Sequence, residues 1–326
     1  MSMIRPGFVN VENYLSLPRN PDTWLIQDLI PTSGKAILYG SPKTGKSACG
    51  IQLACALSGG SDEWLGFKVS SHGPVLYLQL DTPRSTWSLR FEALDRYGIR
   101  YNKDNLYLAD VESIAYFPFD ILQPTHFKYL HSIVQPLRPV AVIIDTLRKA
   151  HTGEEDNSST MSNVISGLYG AVHPAALIVL SHGRKPHTDM QPDLMNDHRG
   201  SGAVTGEMDA VIRMLNNKFR YGGRNIEEGE VLLEKVETEN VLLWKVRGEE
   251  SFERSLLQVL QDASKQSMRE RARALAILSG RHEDACMSIL RRRRAAGTLP
   301  IPMLAQAQDI VDSVRVAQDM VDMNNS

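Results

Sequence analysis

The sequence predicts an α/β fold: a parallel sheet with helices on both faces, antiparallel strands at one edge and a small helical tail. Three observations carry that prediction. Short apolar, β-rich runs alternate with helix-like segments over the first half of the chain, the pattern of strands buried on both faces. A glycine-rich octapeptide, Gly40-Ser41-Pro42-Lys43-Thr44-Gly45-Lys46-Ser47, links one apolar run to the helix-like segment behind it. Residues 211–215, 231–237 and 241–246 then follow at close spacing, as antiparallel strands do.

Taken in order, strands are expected at 35–39, 75–80, 106–109, 140–144 and 176–180, each a short apolar run. Helices are expected between them at 47–57, 84–97, 127–134 and 159–172. A polar loop rich in helix breakers, 183–202, follows the last of these strands. Near Gly248 the character changes, and the chain becomes helical, charged and less apolar, with a break at Thr298-Leu299-Pro300-Ile301-Pro302. This gives an N-terminal arm at 1–18, a core at 19–250 and a helical tail at 251–326. No internal repeat is seen.

The 326 residues are 42% hydrophobic and 23% charged, ordinary for a globular protein with one large core. No apolar run reaches membrane-spanning length, and residues 1–10 lack the basic-then-apolar layout of a signal peptide. Cys49, Cys55 and Cys286 have no metal-ligand spacing, and the first two are expected to pack as small apolar groups in a helix. A reducing, cytoplasmic setting and no membrane partner are expected. The formal charge of −2 means that nucleic-acid contact has to come from local basic patches.

The octapeptide reads G-x-x-x-x-G-K-S between a strand and a helix, the phosphate-binding loop signature in its proper context. Glycines let the backbone close into a nest of N–H donors, and the following helix aims its positive end at the phosphates. Lys46 is expected on the β and γ oxygens and Ser47 on Mg²⁺. All eight residues, 40–47, are therefore assigned to a nucleoside triphosphate, read as ATP with Mg²⁺.

Five further features bear on chemistry. Val140-Ala141-Val142-Ile143-Ile144-Asp145 is an apolar strand ending in an acid, about a hundred residues after Lys46. A carboxylate there either ends the strand as a turn former or, as its place after Lys46 favours, holds the shell of a phosphate-bound Mg²⁺ together with Ser47. Asp81 closes the 75–80 strand, expected to lie beside the phosphate-loop strand; it either positions the attacking water or, with Thr82, caps the next helix. Glu154-Glu155-Asp156 either tunes the metal or forms a solvated run before a helix starting near Ser158. His182 ends the 176–180 strand, where it either senses the γ-phosphate or merely terminates the strand. Arg184, Lys185 and Arg199 in the loop behind it suit either a transferring phosphoryl group or a nucleic-acid backbone.

Several ordered blocks between about residues 20 and 250 resemble RecA/DnaB-type hexameric ATPases, above all the small replicative helicases of broad-host-range plasmids and their phage and bacterial relatives. They are Trp24-Leu25-Ile26 with Leu29-Ile30-Pro31, Tyr39 to Ser47, Gly73-Pro74-Val75-Leu76-Tyr77, Asp145 to His151 with Glu154 to Asn157, Ser181 to Lys185, and Arg199-Gly200-Ser201-Gly202-Ala203. The resemblance implies a RecA-like core and ring assembly, as a homo-hexamer. It implies that Asp145 is the Walker B acid, that Asp81 stands where such enzymes carry a catalytic glutamate, and that His182 is the phosphate sensor. Arg199 then falls at the arginine finger acting across a subunit boundary, with Lys185 as a second candidate. Aspartate at 81 is one methylene short of that pattern, so either Glu154 or Glu155 assists or hydrolysis is slow.

The resulting expectation is a ring ATPase that moves along single-stranded DNA as a replicative helicase. Two rivals are a recombination-type ATPase that binds DNA without unwinding and a regulatory ATPase that gates partner docking. In the tail, Arg269, Arg271, Arg273, Arg281 and the run 291–294 make two expected helices basic, either a DNA or partner contact or a solvated pair.

Overall fold

The computed structural model describes residues 9–16, 23–183, 194, 203–237, 242–247, 256, 259–260, 267–279 and 283–295. A mostly parallel sheet carries helices on its faces and antiparallel strands at one edge. The chain divides into two compact units, Met1–Arg213 with Tyr221–Glu227 and Met214–Arg220 with Glu228–Ser326.

In the first unit the strands are β1 (Trp24–Ile26), β2 (Ile30–Pro31), β3 (Lys35–Gly40), β4 (Glu63–Trp64), β5 (Phe67–Lys68), β6 (Val75–Gln79), β7 (Leu106–Ala109), β8 (Ala141–Asp145), β9 (Ala176–His182) and β10 (Ala210–Leu215). The principal sheet there runs β10-β3-β9-β8-β6-β7. The pairs β3–β9, β9–β8, β8–β6 and β6–β7 are all parallel. The helices are α1 (Val11–Ser16), α2 (Lys46–Cys55), α3 (Arg84–Arg96), α4 (Pro124–Leu137), α5 (Ser158–Val172) and α6 (Ala203–Gly206). Every strand expected in this region is present within two residues at either end, and so are α2, α3 and α5. The segment expected at 127–134 grows to Pro124–Leu137 because Pro124 supplies a ready-made first turn.

Side-chain alternation sorts the two faces. Ile37, Tyr39, Leu76, Leu78, Val142, Ile144, Leu177 and Val179 join one core with Leu130 and Val134 of α4 and with Val164, Ile165 and Leu168 of α5. The alternate residues, Tyr77, Gln79 and Asp145 among them, point to the opposite face. There α2 lies close: a Cβ on Gly50 would stand 3.0 Å from Leu180 and 3.1 Å from the Tyr77 hydroxyl, so glycine permits the approach. Cys49 and Cys55 of α2 are buried free thiols, as expected, and burial pushes the Cys55 thiol up to about 12. Among the described residues no helix is long and apolar enough to cross a membrane.

One expectation is corrected here. The Asp81 strand, β6, is not the neighbour of the phosphate-loop strand β3, because β9 and β8 lie between them. Parallel strands need crossovers, and a crossover leaves the sequence free to choose which edge it returns to.

In the second unit β12 (Ile226–Glu237) and β13 (Leu242–Val246) pair antiparallel from Leu233↔Val246 to Glu237↔Leu242. Beside β12, Lys218 and Arg220 of β11 (Lys218–Gly223) reach its Glu230 and Glu228 at 3.0 and 3.7 Å. The tail holds α7 (Met268–Ser279) and α8 (Glu283–Ala295). Ser267 and Glu270 form a reciprocal capping box at the start of α7: Ser267 N–H donates to Glu270 at 2.9 Å and Glu270 N–H to the Ser267 hydroxyl at 3.2 Å. Ala272, Leu275, Cys286 and Leu290 bury against Leu256 and Val259, so the pair has its own small apolar core and is more than a solvated surface.

Candidate functional site

The phosphate-loop segment begins where β3 ends, and its backbone has to turn sharply before α2. Lys43 and Gly45 take positive φ, 64° and 78°, the left-handed geometry that forms a nest of N–H groups. Thr44 steadies the turn by donating its hydroxyl to the Ser41 carbonyl at 2.8 Å. Lys46, the first residue of α2, folds back and donates Nζ to the carbonyls of Ser41 at 2.8 Å and Gly40 at 3.0 Å. It is 7% exposed. Burial lowers its ammonium to about 8, with the negative charge of Asp145 opposing the shift.

β9 stands next to β3 with Gly40 opposite His182, and this register brings His182 Nδ1 to 3.5 Å from Lys46 Nζ. β8 is the next strand and ends at Asp145, 1% exposed. Its carboxylate accepts from the Tyr77 hydroxyl at 2.9 Å, from Gln79 Nε2 at 3.1 Å and from the Ser47 hydroxyl. Burial raises its pKa, and these hydrogen bonds oppose the rise. The fold thus gathers Lys46, Ser47, Asp145 and His182 at the carboxyl ends of three adjacent strands, where open α/β sheets bind ligands.

Asp81 sits apart. It is 53% exposed and its carboxylate lies 3.8 Å from Lys149 Nζ, just beyond the Asp145 strand. It does not cap α3, nor does Thr82: Pro83 holds the cap position without a side-chain bond, and Glu112 accepts from Arg84 N–H at 3.2 Å. The group that ties Asp81 to the centre is Gln79, whose Oε1 accepts from the N–H groups of Asp81 at 2.8 Å and Thr82 at 3.2 Å. One buried amide therefore spans Asp145 and the Asp81 turn. The sequence reading missed Gln79 and Tyr77, although two polar-tipped residues two apart in a buried strand were a usable signal.

Glu155, 21% exposed, lies 3.9 Å from Arg148, and behind the acidic run Asn157 caps α5 by accepting from Thr160 N–H at 3.0 Å. Among the described residues no group of three His, Cys, Asp or Glu side chains is placed to hold a metal by itself. Arg184, Lys185 and Arg199 fall outside the described residues.

The donor set fits MgATP. Ser47 and Asp145 are hard oxygen ligands held together, and a left-handed glycine opens a helix behind a buried ammonium, the arrangement that receives phosphate. Among solved structures, the chain is similar to a KaiC-like protein from the hyperthermophilic archaeon Pyrococcus horikoshii OT3. The identity is 14% and the TM-score 0.42, over 68% of this chain and 93% of that one. A family model described as an AAA domain matches residues 2–188, more than half the chain and the whole span from the arm to the end of β9. By that match the chain belongs to the AAA domain family, and its phosphate-loop segment and mostly parallel sheet agree with a P-loop ATPase.

Proposed function

We propose that this protein is an ATP-hydrolysing ring ATPase, a hexamer, that acts on single-stranded DNA as a replicative helicase. The observation that carries the ATPase part is the meeting of Lys46, His182 and Asp145 at adjacent strand ends. The DNA and ring parts rest on the sequence likeness to replicative ring helicases. In this reading the loop amides and Lys46 hold the phosphates, and Ser47 with Asp145 holds Mg²⁺. The metal neutralises charge on the phosphate oxygens when bound. His182, beside Lys46, senses the γ-phosphate, Asp81 orients the attacking water, and Arg199 or Lys185 reaches the neighbouring subunit's nucleotide.

The position of Asp81 favours a second reading, a regulatory ATPase that binds ATP well and turns it over slowly. An exposed carboxylate bridged to Lys149 is weakly preorganised for a water on the γ-phosphate. Steady-state ATPase with and without single-stranded DNA, together with strand displacement on a forked duplex, separates the two. DNA-stimulated turnover with displacement supports the helicase, and slow turnover indifferent to DNA supports the regulator. DNA-stimulated turnover without displacement returns a recombination-type role. Asp81→Ala is expected to cut turnover about 100-fold if Asp81 handles the water. Asp81→Glu is expected to preserve or raise it, and wild-type turnover in Asp81→Ala would remove Asp81 from the mechanism.

A further inference from the structure

Behind Gln79, on the flank away from β3, α3 and β7 border a half-open cavity of about 480 Å³ that the ATPase reading leaves unused. The volume is within the range of small-ligand sites. Three aromatic residues line it: Trp87, Phe91 and Tyr101, with ring centroids 5.7 Å apart for the first pair and 5.3 Å for the second. The Trp87 indole N–H is buried and has no acceptor.

The charged lining residues are Arg84, Asp110 and Lys103. Arg84 holds the Asp110 carboxylate with two bonds, at 2.9 and 3.2 Å, which keeps that acid down at about 2 and cancels its charge. Lys103 pairs with no carboxylate among the described residues and stands 6.0 Å from the Tyr101 ring. The lining thus presents aromatic rings and one uncompensated ammonium. That combination suits a flat heteroaromatic group carrying an anion.

Two paths lead from the cavity to the Walker B acid. Gln79 lines the cavity and donates to Asp145. The Trp87 ring packs edge-on against Tyr77 at 5.0 Å, and the Tyr77 hydroxyl donates to the same Asp145 oxygen. A ligand that shifts either residue alters the hydrogen bonding of Asp145.

We propose that this cavity is a second ligand site, separate from the P-loop, which takes a planar heteroaromatic anion of the purine monophosphate class and transmits its occupancy to Asp145. The binding half stands independently of the ATPase reading, whereas the coupling half rests on Asp145 acting as the metal acid. A free nucleotide and the phosphorylated end of a single strand offer the same chemistry.

The test is calorimetry with AMP and, separately, with a 5′-phosphorylated oligodeoxyadenylate, on full-length Lys46→Ala protein so that the P-loop contributes little. One saturable site per chain is expected. Lys103→Glu, added to that background, is expected to weaken binding at least tenfold, and Ser88→Trp, which places an indole in the cavity from an exposed position on α3, to abolish it. An oligonucleotide that binds tenfold tighter than AMP identifies a strand end as the occupant, and equal affinity a free nucleotide. No saturable binding of either probe up to about 5 mM, or binding untouched by both variants, would overturn the site. With the wild-type P-loop, saturating AMP is expected to change the ATPase rate at least threefold, and to lose that effect in Ser88→Trp. Binding that leaves the rate unchanged removes the coupling half, and a chain without ATPase activity still gives the calorimetric answer.

Discussion

The phosphate-binding centre and the β6–α3–β7 flank are built in opposite ways on one sheet. The centre uses the interior strands β3, β9 and β8, and two of its ionisable groups are almost wholly buried, Lys46 at 7% and Asp145 at 1% exposure, with His182 half-buried beside them. The flank ends at the edge strand β7, where Tyr107 and Leu108 are 43% and 45% exposed, and it carries both the half-exposed Asp81 and the α3–β7 cavity. Charges fixed in a buried setting hold their geometry and act strongly, and charges on an open flank are screened and free to move. The centre is thus made for grip. In the reading proposed above the flank decides turnover, and Gln79 is hydrogen-bonded to both regions.

The largest effect expected is on the centre. Lys46→Ala is predicted to weaken ATP binding about 100-fold or more, measured by nucleotide titration, while the fold persists because its Nζ bonds two loop carbonyls and His182 and no group of the apolar core. A small change there would mean that grip does not depend on the buried ammonium, and the contrast between the regions would fail.

Gln79→Leu removes the bonds to both regions. Asp145 loses a donor, and two N–H groups of the Asp81 turn lose their acceptor. A stability loss of about 1–3 kcal/mol is expected in chemical denaturation. ATP affinity is expected to fall less than the turnover rate. Equal losses in both would indicate that centre and flank form one unit.

The pH dependence of Lys46 is subtler. Its folded value of about 8 lies below the ordinary 10.5, so between these values the unfolded chain binds more protons than the folded one. Stability of the nucleotide-free protein is therefore expected to gain from this group as pH rises from about 8 to 10.5, and Lys46→Ala should remove that part of the slope. ATP affinity should move the other way and fall above about pH 8 as the ammonium is lost. Parallel movement of the two would contradict the assignment.

The smallest effect belongs to the flank's ion pair. Arg84 holds Asp110 at about 2, below the usual 3.8, so its contribution is complete above 3.8 and disappears as pH falls towards 2. Acid unfolding of Arg84→Gln is expected to begin at a slightly higher pH than that of the wild type, by circular dichroism.

Much of the centre was legible in the chain. The octapeptide, the strand before it and the helix behind it are local, and glycine, lysine and serine at fixed spacing admit few other geometries. Asp145 and His182 were legible for a related reason, since each closes a short apolar run whose buried strand could be read from composition. β11 escaped notice because Lys218, Arg220 and two glycines mask the alternation of Phe219 and Tyr221, both of which are buried. β12 starts earlier than expected because the acid-rich stretch after Ile226 resembles a loop.

By itself, then, the sequence determined the P-loop, the alternation of strand and helix, the acid and the histidine at their strand ends, and hence a protein that holds a nucleoside triphosphate. Only the tertiary structure decided the order β3-β9-β8-β6, which sets Asp81 three strands from the phosphate-loop strand, and the pairing of Gln79 with Asp145 across β6 and β8. It alone also formed the aromatic cavity at the sheet's edge. The physical reason is one of range. Backbone nests, caps and buried strands are fixed by neighbours in sequence, whereas the neighbour of a parallel strand is chosen by long crossovers and by packing between distant segments.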